Sequence, residues 1–269
     1  MKIRIITAII ALPLLIGTIY WGGWFLCFMI ALISLIGINE MLKAFKADHV
    51  GIQLPLGAAT VCYYYILFIG KTEYLTYIIA TLIVMLLIFY VFSFPKTDFS
   101  KISLALFSFV YVAFLLSFIV MIRETAAIGI YLVWLVFLIA FGSDTFAYFS
   151  GYFFGKNKLA PNLSPKKTIE GSIGGVIGAI VLCLAYGYFM YSKGVITDLS
   201  NMKWMVLLGG AGSALSQIGD LAASGIKRQS GIKDFGKLLP GHGGVLDRFD
   251  SNLFTAPFVY IIMNLLLKI

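Results

Sequence analysis

Charge is scarce in this sequence. Only 12% of its 269 residues are Asp, Glu, Lys or Arg, against roughly a quarter in a soluble domain, and that shortage excludes a water-soluble globule. Histidine is scarcer still. His49 and His242 are the only two, so zinc chemistry built on clustered histidines has little to draw on. The three cysteines, Cys27, Cys62 and Cys183, lie singly within apolar runs, far from any second cysteine at redox or metal-binding spacing. They read as small packing residues. What abounds instead is apolar: 61% of residues are hydrophobic and the mean hydropathy is +0.98. The chain therefore reads as an integral membrane protein with no separate soluble domain. Its net charge of +8 is read as a topology signal, not as a nucleic-acid surface.

A membrane helix needs ~20 apolar residues, which leaves room here for about nine. The runs fall near 3–22, 24–44, 54–70, 74–94, 102–122, 129–155, 172–192, 203–227 and 245–267. The first has the basic start of a secretion signal but no small-residue cleavage site after it, and reads as a retained span. Uninterrupted runs of this length are helical, because alternating segments of ~10 residues would mark a barrel. The predicted fold is thus all-α. With nine spans, the N-terminal face collects fifteen of the twenty lysines and arginines and the other face five; by the positive-inside rule the first face is cytoplasmic. Residues 1–125, with helices 1–5, carry almost no interior charge. Residues 126–269, with helices 6–9 and two basic connections, carry most of the unusual polar groups, so chemistry is expected at the cytoplasmic end of helices 6–9.

A carboxylate within a span costs ~2.5–3.5 kcal/mol and is by default a functional hypothesis. Helix 6 aligns Asp144, Tyr148, Gly151 and Gly155 on one face by their spacing. Helix 8 carries a second stripe: Ser213, Ser216, Gln217, Asp220, Ser224 and Lys227. Such a stripe faces a partner or a wet cavity. Asp247 and Asp250 stand one turn apart at the expected start of helix 9, where both carboxylates can point the same way. First-turn acids are also favoured by the helix dipole. Together with Asp220 and Asp144, however, they form a candidate site for hard cations such as magnesium. Glu40, at the end of helix 2, either snorkels to the interface or enters the same cavity, with a structural role expected.

The connections suit phosphate. The first interleaves hydroxyls with cations at Ser164, Lys166, Lys167 and Thr168, and the second brings Lys227, Arg228, Lys233 and Lys237 among glycines that let backbone approach an anion. The alternative for any one lysine is contact with anionic lipid headgroups. A faint phosphate-loop match at 151–157 fails on its glycine spacing and its terminal Asn157. The small-residue series Gly171, Gly174, Gly175 and Gly178 reads as close helix packing.

Two blocks carry a resemblance. One runs from Ser224 through Lys227-Arg228, Lys233-Asp234, Gly236 and Leu239-Pro240 to His242-Gly243-Gly244, Asp247-Arg248 and Asp250; the other runs from Ser143-Asp144-Thr145 through Gly155-Lys156 to Ser164-Pro165-Lys166-Lys167-Thr168 and Glu170-Gly171. They closely resemble the signature of the phosphatidate cytidylyltransferases, or CDP-diacylglycerol synthases. The resemblance implies transfer of the cytidylyl group of CTP to phosphatidic acid, with magnesium required and pyrophosphate released, in phospholipid biosynthesis at the cell (inner) membrane. On that reading Asp220 and Asp247 are expected as metal ligands, with Asp250 and Asp144 as further ligands or as anchors behind them, and with room for a second cation. Lys227 and Arg228 are then catalytic cations. Ser164, Lys166, Lys167, Thr168, Ser224, Lys233, His242 and Arg248 are substrate contacts, His242 orienting a loop or a phosphate.

Two rivals remain. An ion-coupled transporter also places carboxylates in helices, but the basic residues here gather at one face. A CTP-dependent kinase of a polyprenol-like alcohol would need a base and would release CDP. Helices 1–5 serve as a lipid entrance, a scaffold or the interface of a homodimer, and the sequence leaves these three open.

Overall fold

The computed structural model describes residues 2–125, 128–199, 202–241 and 243–267, with side chains from residue 9 to residue 265. His242 lies outside the described residues. Helices dominate: α1 (Lys2–Trp21), α2 (Gly23–Ala44), α3 (Val50–Phe68), α4 (Leu75–Ser93), α5 (Phe99–Ser108), α6 (Leu115–Arg123), α7 (Gly129–Phe154), α8 (Ile169–Ser192), α9 (Met202–Gln229), α10 (Leu246–Phe249) and α11 (Asn252–Leu267). Among the described residues, six segments are long and apolar enough to cross a bilayer: α2, α3, Thr72–Ser93, Phe99–Arg123, α7 and α8. The apolar helices Ile9–Trp21 and Asn252–Leu265 are shorter. With 28 residues α9 has the length, but its polar stripe keeps it out of the apolar class. Trp21, Phe92 and Leu265 are each more than two-thirds exposed, as lipid-facing side chains are. The protein is a multi-pass, essentially all-helical membrane protein.

The all-helical expectation holds, with one short ribbon added to it: β1 (Lys158–Ala160) and β2 (Ser164–Thr168) pair antiparallel in the first basic connection. Two of the expected spans differ from a single uniform helix. The span expected at 102–122 is not a uniform α-helix. Phe109–Phe114 is a π turn between α5 and α6, and the buried Tyr64 hydroxyl donates to the Ala113 carbonyl there (2.8 Å). The span expected at 245–267 is broken: α10 ends at Phe249 and α11 begins at Asn252. Asp247 and Asp250 therefore do not share one continuous helix.

The chain forms two compact units, Met1–Val120 with Ser230–Arg248, and Met121–Gln229 with Phe249–Ile269. In the first, α2 packs on α3 and on the π turn, and α3 packs on α4. Its core contains Leu26, Ile30, Met41, Ile52, Leu56, Tyr63 and Phe109. In the second, α7, α8, α9 and α11 pack together. The glycine series of α8 does what its spacing predicts. A Cβ on Gly171 would meet the Ala147 carbonyl at 2.7 Å, and one on Gly175 would meet the Ser143 carbonyl at 2.9 Å, so α7 and α8 approach backbone to backbone.

Candidate active site

In the second unit, α7, the β1–β2 ribbon, α8 and α9 enclose a cavity of about 530 Å³, within the range for a small-molecule site. Its wall includes Asp144, Tyr148 and Tyr152 of α7, Lys166, Lys167 and Thr168 of β2, Ser172 of α8, and Gln217 and Asp220 of α9. Of the stripe on the sixth expected span Asp144, Tyr148 and Gly151 line this space, and of the stripe on the eighth Gln217 and Asp220 do, while Ser213 and Ser216 are buried in the packing instead. Tyr148 and Tyr152 stack their rings one turn apart along it, at 6.4 Å.

A buried hydrogen-bond network sets the pitch of α9. Ser172 donates to Gln217 Oε1 (2.5 Å), while Gln217 Nε2 reaches the Ser172 carbonyl (3.2 Å) and Ser213 Oγ (3.3 Å). Ser143 and Ser213 share a bond of 2.7 Å. Ser213 is inaccessible and Gln217 only 6% exposed, so leaving these groups unpaired would cost ~1–3 kcal/mol each. The network fixes α9 one turn before Asp220, and with it the height of that carboxylate in the cavity.

Thr168 closes the ribbon and caps α8, its hydroxyl accepting from Gly171 N (3.1 Å). Beside it Glu170, assigned no role by the sequence reading, accepts from the backbone of Lys156 (3.1 Å) and from the Asn157 side chain (2.8 Å). This ties the end of α7 to the start of α8. The Thr168→Ala variant should lose ~1 kcal/mol of stability through the missing cap, and Thr168→Ser should keep it; thermal melting in detergent distinguishes them.

Lys167, expected as a phosphate contact, is ion-paired with Asp220, both side chains about 25% exposed. Asp250 is 8% exposed, and its Oδ1 accepts from Ser251 N (2.8 Å). Burial, with the neighbouring Asp220 carboxylate adding to it, pushes the Asp250 carboxyl up to about 7. The Lys227 charge acts in the opposite direction, and Asp144 adds weakly to the repulsion. Lys227 itself is 8% exposed. Three carboxylates and two lysines of this unit therefore influence one another.

Asp220, Asp250 and Asp144 supply oxygen donors of the kind a hard cation takes. Among the described residues, no three His, Cys, Asp or Glu side chains gather as a metal cage. Magnesium does not require one, since it usually takes one or two carboxylates and completes its shell with water and substrate phosphate. The mutual repulsion of Asp220 and Asp250 is what a bound cation would relieve.

In the first unit, Asp247 is 8% exposed, and its Oδ2 accepts from Phe235 N (2.8 Å) and Gly244 N (2.9 Å). It fastens its own loop. Glu40, for which the sequence leaves the interface or the cavity open with a structural role expected, is 7% exposed and accepts from Val245 N (3.0 Å) and Leu246 N (2.9 Å). Ser164 and Ser224 are half-buried, while Arg228, Lys233 and Arg248 are exposed.

Comparison with known proteins agrees in extent with the whole chain. The cytidylyltransferase family model matches residues 2–266. A phosphatidate cytidylyltransferase of Staphylococcus aureus is 35% identical over 273 residues, covering 98% of this chain and 99% of that protein. Phosphatidate cytidylyltransferases of Staphylococcus epidermidis and Staphylococcus saprophyticus are 35% and 33% identical, with the same coverage.

Proposed function

The chain belongs to the cytidylyltransferase family, and on that premise we propose that it transfers CMP from CTP to phosphatidic acid, forming CDP-diacylglycerol and pyrophosphate. The observation that carries the reading is the cavity of the second unit, where Asp220, Asp144, Lys166 and Lys167 face one space on a membrane protein. Phosphatidic acid keeps its acyl chains in lipid and offers a phosphate at the interface. A phosphate oxygen attacks the α-phosphorus of CTP, the bond to the bridging oxygen breaks, and pyrophosphate leaves. The nucleophile is already anionic, so no strong general base is needed.

Catalysis of this kind rests on positioning and on neutralising charge. A magnesium ion held by Asp220 and Asp250, with Asp144 nearby, would supply part of that neutralisation, and a second cation would fit the same chemistry. For Asp247 the proposal retains a ligand role beside the loop-fastening one. Lys166, Lys167, Lys227 and Arg228 hold phosphate; Lys167 exchanges Asp220 for substrate as the site fills. Ser164, Thr168, Ser224, Lys233, Arg248 and His242 complete the substrate contacts. The membrane is the cell's inner membrane, and the site faces the cytoplasm, where CTP is made.

The test follows α-labelled CTP with purified protein, phosphatidic acid and magnesium. Label in lipid and magnesium-dependent pyrophosphate are the expected result. Labelled CDP with no labelled lipid would identify a CTP-dependent lipid kinase instead, and no turnover by folded protein would return the transporter reading.

A further inference from the structure

We propose that Glu40 of α2 is a positioning residue for the loop that ends in Asp247. The inference rests on the proposed cytidylyl transfer for its kinetic consequence, though not for its structural one. Glu40 sits 205 residues before its partner Val245 in sequence, yet its two carboxylate oxygens divide between two consecutive amides, Oε1 taking Val245 N and Oε2 taking Leu246 N. A single oxygen would satisfy only one of them. Asp247 Oδ2 then takes Phe235 N and Gly244 N. Four amides of one short loop are thus held by two buried acids, and the Leu239–Gly243 bridge (3.0 Å) closes the turn between them.

The loop's glycines fit this arrangement. A Cβ on Gly236 would collide with Glu40 Oε1, and one on Gly244 would press on both Glu40 oxygens. At Gly243, φ is +86°, which L side chains rarely adopt. The backbone therefore wraps the Glu40 carboxylate with no side chain between them. A buried acid is costly to keep at a helix end merely to touch backbone. Its geometry is explained if the amides it holds must stay fixed, because they flank Asp247.

Glu40→Gln is close to isosteric but presents an NH2 to one of the two amides, so it breaks half of the clamp. The expected result is a 10- to 100-fold loss in kcat, as for residues that orient a ligand without touching substrate, with KM for CTP changed less than threefold. Hydrogen exchange at Val245 and Leu246 should accelerate while the α7–α9 amides keep their protection. In the Asp247→Asn background, Glu40→Gln should cost little further activity, because both act through one loop. Glu40→Asp, which keeps both oxygens, should recover part of kcat. Additive losses in the double variant, or unchanged exchange at Val245 and Leu246, would overturn the proposal. If wild-type protein makes no CDP-diacylglycerol, the function reading fails, whereas the exchange measurement still decides the clamp.

Discussion

Asp220→Asn is expected to lower the rate of CDP-diacylglycerol formation by about 10²–10³-fold, the scale on which removing one preorganised electrostatic group acts, while the protein stays folded. The substitution keeps size and removes one charge. It leaves Lys167 without its partner and removes a carboxylate from the wall of the cavity. Stability should move by a small net amount, because Lys167 loses its partner while Asp250 loses the repulsion of a neighbouring carboxylate. The measurement is an initial rate with labelled CTP beside a melting curve in the same detergent. Because Asp220 raises the Asp250 carboxyl, the variant should also let Asp250 ionise at lower pH, against the remaining effect of burial. A variant within threefold of wild type would remove Asp220 from the machinery and leave the ion pair with Lys167 as a structural contact.

Much of this site was legible before any coordinates, and the reason is the solvent. In lipid a polar residue needs a partner, and the stripes on α7 and α9 find two kinds: Asp144 and Asp220 line one cavity, whereas Ser213 is satisfied by buried hydrogen bonds to Ser143 and Gln217. The glycines of α8 were legible for the same kind of reason, since only close backbone contact explains so many on one face. What escaped was whatever depends on a partner distant in sequence or on too few residues to show a period. Strands of three and five residues have no periodic signal in a basic, proline-containing connection. The π turn offers its Ala113 carbonyl to Tyr64, 49 residues away in the chain. For Glu40 the sequence supports a structural role but leaves its place open between the interface and the cavity, because nothing near it in the chain reveals Val245 and Leu246 as its partners. The break before α11 falls at Asp250-Ser251-Asn252, polar residues whose spacing from Asp247 also suits the first turn of one helix, whereas the Ser251 carbonyl begins a new helix by accepting from Phe254 N and Thr255 N.

The packing of α8 on α9 leads to the second large effect. A Cβ at Gly209 would lie 2.6 Å from Ile180 Cα, 2.8 Å from Ile180 N and 2.9 Å from the Ala179 carbonyl. All three are backbone atoms, so no rotamer change relieves the clash and the helices must separate. At Gly210, one residue on, a Cβ would meet only the Ile180 side chain, at 3.5 Å, an ordinary contact. Gly209→Ala should therefore destabilise by ~1–3 kcal/mol, the usual cost of overpacking, and Gly209→Val by more. Gly210→Ala should be neutral or stabilising by up to ~1 kcal/mol, through helix propensity alone. Unfolding titrations in mixed micelles measure both. The contrast in sign matters, because both changes add the same methyl group and only its neighbours differ. Activity should follow the clash: α9 carries Asp220 and α8 begins beside Lys167 and Thr168, so prising the helices apart shifts the acid against its cation. A displacement of about 1 Å can cost 10²-fold in rate, so Gly209→Ala should lose activity at temperatures where it remains folded. If Gly209→Ala kept full rate and stability, α8 and α9 would not approach as closely as the backbone contact requires, and the height of Asp220 in the cavity would need another determinant.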